Sequence, residues 1–320
     1  MTIPYHRGVL VTTIIPVYNR PAKLQEAVAS VLAQTYRPIE IVIVDDGSTD
    51  DTAAVATALA AEHPEIRVLH QSNGGPGAAR ETGRQTARGA FIQHLDSDDV
   101  LLPRKFELQV AGLTAHPECG ASYGWTRFRR RDGSVVPEPW KRSGERIATM
   151  FPAMLQSRWW DTPNPLYRAS LLGPWTNLRI EEDWEYDARI AAHGVKLHYV
   201  EAWVCEVREH GDARVSGQGH SPATLRDRAH AHALILEHAR RAGIAADAPE
   251  MQYYARELFL LARQCGAAGL AEESARLFSL ARDASINANS RQFRLYALAA
   301  KLLGWRAAGK LADWRDSLRW

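Results

Sequence analysis

The chain has 320 residues, with 39 Lys and Arg against 37 Asp and Glu, a formal charge of +2, and 46% hydrophobic residues. That length allows one large domain or two modest ones with real cores. The near-balance of charge excludes a polybasic nucleic-acid binder, so no nucleic-acid partner is expected, and a 24% charged fraction with ten Trp excludes a wholly disordered chain.

In chain order, four short β-branched runs come first: Val9–Ile15, Ile39–Val44, Ile66–Leu69 and Phe91–Leu95. Between them, Pro21–Gln34, Asp50–His63 and Pro76–Arg88 read as helices, each opened by a proline or an Asp/Ser/Thr cluster suited to a first turn. This alternation predicts βαβ units and a parallel sheet with helices on both faces. The strands are nearly continuous apolar runs, as expected of strands buried on both sides. Residues 104–115 read as a further helix. The stretch from about 118 to 205 differs in character, holding seven of the ten Trp. It contains a hairpin turn at 129–133, a helix from Glu182 to Ala192 and a strand from Lys196 to Val204. Beyond a glycine-rich segment at 211–219, residues 222–320 are Ala-, Leu- and Arg-rich with helical spacing. The expected division is therefore 1–220 and 221–320, the first part changing character at about 115.

Cys119, Cys205 and Cys265 lie far apart with no zinc-like spacing, which points to a reducing compartment and no structural zinc. No run of about 18 apolar residues is present, and the start lacks the pattern of a signal peptide. A cytoplasmic location is expected, with membrane contact at most peripheral.

Ligands of a parallel sheet bind outside the carboxyl ends of its strands. The first strand ends in Pro16-Val17-Tyr18-Asn19, the second in Asp45-Asp46-Gly47-Ser48, and the fourth in Asp96-Ser97-Asp98-Asp99. An aromatic ring and two acidic clusters therefore share one edge. Crowded carboxylates repel unless compensated, and Asp-x-Asp supplies the oxygen ligands that Mg²⁺ or Mn²⁺ takes beside phosphate. The competing reading is helix capping by Asp50 and Asp99.

Ile14-Ile-Pro-Val-Tyr-Asn, Ser30-Val-Leu-Ala-Gln-Thr-Tyr, Glu40-Ile-Val-Ile-Val-Asp-Asp-Gly-Ser-Thr-Asp, Gly74-Gly-Pro-Gly-Ala-Ala-Arg and Leu95-Asp-Ser-Asp-Asp stand in the order and spacing of a known family. The chain resembles the family 2 glycosyltransferases of the GT-A fold, an α/β Rossmann-like, mostly parallel sheet, here with an α-helical C-terminal region added. Glu182-Asp183-Trp184 and Arg208-Glu-His210 resemble two later motifs, so the likeness runs from about 9 to 217. It implies an inverting enzyme that moves a sugar from a nucleotide-diphosphate donor, with UDP the first choice, to a hydroxyl of a glycan, glycolipid or other acceptor. It further implies that Tyr18 lies against the base beside Pro16 and Val17, with Asp46 accepting a base N–H. Asp96 and Ser97 would stand at the ribose and sugar, Asp98 and His210 would hold the metal, and Asp183 would be the general base with Glu182 beside it. Arg80 would touch a phosphate or pair with an acidic neighbour. Where the family often has Asn, this chain has Glu81, which suggests a local salt bridge instead.

Trp159, Trp160 and Trp184 flank the expected base and could stack on acceptor sugar, although core packing is the alternative for each. Glu181-Glu182-Asp183 could equally be the acidic first turn of a helix. Residues 301–320 carry five basic and two acidic residues among leucines and tryptophans. They suggest a basic amphipathic helix that meets a membrane, docks on the protein's own core or joins a second subunit in a homodimer. Two other functions fit parts of the pattern. A nucleotidyltransferase would want a glycine- and basic-rich loop after the first strand, which Pro16-Val17-Tyr18-Asn19-Arg20-Pro21 is not. A non-catalytic nucleotide-sugar-binding module would need no base.

Overall fold

A computed structural model describes residues 8–209 and 221–317, with side chains to residue 312. The chain divides into two compact units, the first made of residues 1–149, 159–177 and 195–212, the second of 150–158, 178–194 and 213–320. The division is thus not one cut near 220: two excursions, 150–158 and 178–194, group with the C-terminal helices.

In the first unit, strands β1 (Val11–Val17), β2 (Ile39–Asp45), β3 (Ile66–His70) and β4 (Phe91–His94) alternate with helices α1 (Pro21–Leu32), α2 (Thr52–Glu62) and α3 (Pro76–Thr86). Strands β3-β2-β1-β4 pair in parallel, as the repeated strand–helix pattern predicts. Every residue of β1 and β2 is buried, the consequence of helices on both faces. Helix α1 starts on Pro21 and buries Leu24, Ala27, Val28 and Val31, one apolar stripe at spacings of three and four. This stripe packs with Val11, Ile15, Ile41 and Ile43 in the main core.

The sheet continues through β7 (Leu166–Arg168), β6 (Cys119–Arg129), β8 (Lys196–Arg208) and the short β5 (Val100–Leu101), with α4 (Lys105–Ala115) after β5. Here the sheet is mixed. β7 runs antiparallel to β4 and β6, and β6 and β8 are parallel across three register shifts. The expected turn at 129–133 forms, with Arg130 N–H donating to Ser134 O at 2.8 Å and Gly133 N–H to Arg130 O at 2.9 Å.

The second unit holds α5 (Glu182–Ala191), α6 (Pro222–Arg241), α7 (Pro249–Ala267), α8 (Ala271–Ala284), α9 (Arg291–Leu303) and α10 (Trp305–Ser317). The Ser221 hydroxyl caps α6 by accepting from Thr224 N–H at 3.2 Å, with Pro222 in the first turn. The expected single helix from Lys301 onward does not form: Gly304, at φ +82°, ends α9, and α10 begins at Trp305. All three cysteines are buried and free. Among the described residues no helix is long and apolar enough to cross a membrane.

Candidate active site

Because β2, β1 and β4 are parallel neighbours, their carboxyl ends open on one edge. Val17 pairs with Asp45, Asp46 N–H donates to Val17 O at 2.9 Å, and Leu95 N–H donates to Ile14 O at 3.0 Å. The structure therefore brings Pro16, Val17, Tyr18, Asp46, Asp96, Ser97 and Asp98 together. Pro16 and Val17 belong to the buried strand, while Tyr18 just beyond it is 45% exposed, an aromatic face available to a ligand.

Asp46 is buried and already organised. Its Oδ1 accepts from Gly74 N–H and Gln71 Nε2, and its Oδ2 from Gly75 N–H, each at 2.8 Å. A carboxylate offers about four acceptor sites, so one on Oδ2 remains. These bonds hold the 71–75 loop and the start of α3 against the β2 end. Gly47 closes the turn at φ +76°, where a Cβ would come within 2.9 Å of Asn73 N. Asp45 stays below the usual carboxylate range: burial raises it, but hydrogen bonds from Ser48 and His70 outweigh burial.

At the β4 end Asp96 and Asp98 each meet an arginine. Arg80 Nη2 lies 2.5 Å from Asp96 Oδ1, a pairing with an acidic neighbour. Its guanidinium also lies 4.9 Å from the Trp175 ring centre. Arg20 Nη1 donates to Asp98 Oδ2 at 2.6 Å. Buried Asp99 accepts from Arg208 N–H at 3.2 Å and is followed by β5, so it caps no helix. Burial first, then the charges of Asp98, Asp96 and Asp161, push its carboxyl well up. Asp50 does serve a helix start, accepting from Thr52 N–H at 3.0 Å. Beneath the cluster, burial followed by the Arg80 charge pushes His94 down to about 3, so its imidazole is neutral. Ser97 is buried. A cavity of about 160 Å³ opens beside Asp98 and Asp99, lined also by Lys23, Glu26, Val100 and Arg208. Glu81 makes the expected local salt bridge, to Arg84 at 2.7 Å, and also accepts from Trp175 N–H at 3.0 Å.

Asp98 and Asp96 supply hard oxygen donors. No set of three ligating side chains occurs among the described residues. The donor set fits a cation held by one or two carboxylates and completed by ligand phosphates, the usual environment of Mg²⁺. His210 lies outside the described residues.

In the second unit, Glu182 and Asp183 open α5, entered through Glu181 at φ +58°. Asp183 Oδ1 accepts from Trp184 N–H at 2.7 Å, and its Oδ2 from Arg158 Nη1. Glu182 is buried. Glu181 pairs with Arg228 at 2.9 Å and His232 at 3.0 Å, and these partners overcome burial to keep its carboxyl below the usual range. Trp184 donates through Nε1 to Met154 O at 3.0 Å, with its ring edge-on to His232 and Tyr254.

Trp159 and Trp160 are core residues. Trp159 lies under the Arg142 guanidinium, 3.8 Å from its ring centre, and Trp160 packs on Tyr123. Their neighbour Asp161 pairs with Lys141 at 2.5 Å. Sequence reasoning missed Arg20, Arg158 and a buried polar network that pins residues 161–164. In it, Lys105 Nζ donates to Gln109 Oε1 at 2.6 Å and to Asn164 O at 2.5 Å. The Asn164 side chain accepts from Gly124 N–H and donates to Gly124 O. Only the spacing of Lys105 and Gln109, four residues apart on one helix face among Phe106, Val110 and Leu113, hinted at the network.

Comparison with known proteins agrees with this fold. Residues 12–167 match the family described as glycosyl transferase family 2. An uncharacterized glycosyltransferase of Rickettsia felis is 47% identical over 100 residues, 31% of this chain but only 16% of that protein's length. S. aureus TarS 1–349, solved with UDP-GlcNAc, superposes with a TM-score of 0.69 at 19% identity, covering 96% of this chain and 92% of that one. The mannosyltransferase PcManGT from Pyrobaculum calidifontis, solved with GDP-Man and Mn²⁺, gives a TM-score of 0.52 at 20% identity, covering 96% and 87%. The sheet and its helices have the GT-A fold, and residues 12–167 carry a glycosyl transferase family 2 domain.

Proposed function

We propose that the chain is an inverting, metal-assisted glycosyltransferase that moves a sugar from a UDP-linked donor to a hydroxyl of a glycan, glycolipid or other acceptor. One observation carries this reading: three adjacent parallel strands deliver an exposed ring (Tyr18), a half-saturated carboxylate oxygen (Asp46) and an arginine-compensated acid pair (Asp96, Asp98) to a single sheet edge. Tyr18 is the platform for the base, and the free site on Asp46 Oδ2 suits one N–H such as uracil N3–H. The TarS structure was solved with a UDP-sugar, which favours that choice.

A bound Mg²⁺ or Mn²⁺ would offset charge developing on the departing diphosphate; Asp98 would hold it, joined by His210. Arg20 and Arg80 compensate the charge of the two acids. Asp96 and Ser97 face ribose and sugar. The acceptor oxygen attacks the anomeric carbon, and the bond from that carbon to the diphosphate oxygen breaks. The nucleoside diphosphate leaves with the electron pair, and the hydroxyl proton passes to Asp183. Such a base contributes about 10²–10⁴ in rate. Arg158 and Trp184 N–H are positioning groups that fix both Asp183 oxygens, and one displacement inverts the anomeric centre. In this reading residues 1–115 serve the donor, 116–220 the acceptor, and Trp184 is the tryptophan nearest the acceptor chemistry. The free, buried thiols suit a cytoplasmic setting. After β1 the chain turns directly through Asn19 and Arg20 into α1, which leaves no glycine-rich triphosphate cradle for a nucleotidyltransferase.

A thermal-shift screen of UDP-, GDP- and TDP-sugars with and without Mn²⁺ tests the reading. A donor at about 100 times its Kd adds about 2.7 kcal/mol of stability. A Mn²⁺-dependent shift confined to one nucleotide is expected; no shift with any nucleotide would sink it.

A further inference from the structure

Helix α9 turns Phe293, Tyr296 and Ala300 inward and leaves Leu295, Leu298 and Leu302 on its outer side, 51–70% exposed. Their spacing of three and four puts them on one stripe. Leu303 at the end of α9 is exposed as well. Soluble proteins expose single leucines routinely, but a contiguous stripe marks a contact surface.

The charge beside the stripe names the contact. From Arg291 to Leu311 there are five basic residues, Arg291, Arg294, Lys301, Arg306 and Lys310, and no acidic one. All five are exposed. Arg294 and Lys301, seven residues apart, follow one flank of the leucine stripe. A groove of about 300 Å³ beside it has Phe278, Ala300 and Trp305 on its walls and Arg282 and Lys301 among its lining cations. A second copy of the chain laid face to face on this patch would set cations against cations. A surface both apolar and anionic satisfies the leucines and the cations together.

We infer that the outer face of α9 docks on an anionic lipid surface, with Leu295, Leu298 and Leu302 entering the headgroup–acyl boundary and Arg294 and Lys301 meeting lipid phosphates. The inference is independent of the transfer chemistry proposed above.

Co-sedimentation of the full chain with phosphatidylcholine vesicles, with and without phosphatidylglycerol, reads it directly. Binding is expected only with the anionic lipid, and it weakens steeply as salt rises from about 0.1 M. Arg294→Gln with Lys301→Gln should weaken partitioning about 30-fold, at about fivefold per charge. Leu295→Gln, Leu298→Gln and Leu302→Gln together should abolish it, at about tenfold each. These side chains are exposed, so an unchanged melting temperature checks that the variants fold. Three results would each overturn the inference: equal binding to neutral vesicles, variants that bind like the parent, or an absence of vesicle binding. In the last case, sedimentation equilibrium showing a dimer that the leucine variant disperses would reassign the stripe to a protein interface.

Discussion

Lys105 is fully buried, and its two hydrogen-bond acceptors, Gln109 Oε1 and Asn164 O, are both uncharged. Burial therefore pushes its amine down from 10.5 to about 7. In the unfolded chain the amine keeps its ordinary value. Between these two values the unfolded state binds more protons, so stability rises with pH. The contribution is fully present above the unfolded value and is lost as pH falls through about 7. From pH 7 to about 8.5 the linkage amounts to about 1.5 kcal/mol. At about 2–4 °C per kcal/mol for a unit of this size, the melting temperature should climb by about 3–6 °C. Near pH 8.5 the buried cysteines, whose thiols are raised, begin to oppose the rise by roughly a few tenths of a kcal/mol each as the unfolded thiols ionise, so the difference between the parent and a Lys105→Met variant isolates the amine. Calorimetric melts of the parent and of Lys105→Met at both pH values are the assay. The methionine variant should lose the rise, whatever its absolute stability. A flat or falling parent profile, or the same rise in Lys105→Met, would refute the assignment of a neutral amine.

Tyr18→Ala should weaken binding of the donor nucleotide about tenfold by titration calorimetry, since one stacked ring is worth about 1–3 kcal/mol, while melting stays within about 0.5 kcal/mol because the ring is exposed. Asp46→Asn places an amide where Gly74 and Gly75 N–H groups point. It should cost about 1–3 kcal/mol in a denaturant titration and weaken nucleotide binding as well. Gly47→Ala forces a Cβ onto the Asn73 backbone at φ +76°, and a melting loss equivalent to about 1–3 kcal/mol is expected.

The first four strands and three helices were readable because each strand is a β-branched run between turn signals, and local pattern decides such elements. Strand β6 was not. Cys119–Arg129 holds Gly120 and Gly124 among Ser, Tyr and Trp, and it becomes a strand through pairing with β8, whose partner residues lie 76–79 positions further on. Strand β7 is three residues long, too short for any period. The excursions 150–158 and 178–194 were assigned with their sequence neighbours because contact between distant helices leaves no local mark.

Within the site, Asp46, Asp96 and Asp98 were legible because strand ends of a parallel sheet share an edge. The arginines that neutralise the acids were harder: Arg20 meets Asp98 across 78 residues, and Arg158 meets Asp183 across 25. Trp159 and Trp160 show the limit from the other side, since aromatic content cannot distinguish a sugar platform from core.

The central claim is that an acid pair at one sheet edge holds the activated donor while Asp183 takes the acceptor's proton. Parallel measurement of donor affinity and of sugar transfer in Asp183→Asn, with Asp98→Asn beside it, tests this most directly. The account predicts that Asp183→Asn binds donor like the parent yet transfers at least about 10²-fold more slowly, whereas Asp98→Asn loses the Mn²⁺-dependent part of donor affinity. Full transfer by Asp183→Asn, or donor binding by Asp98→Asn that responds to Mn²⁺ as the parent does, would contradict it.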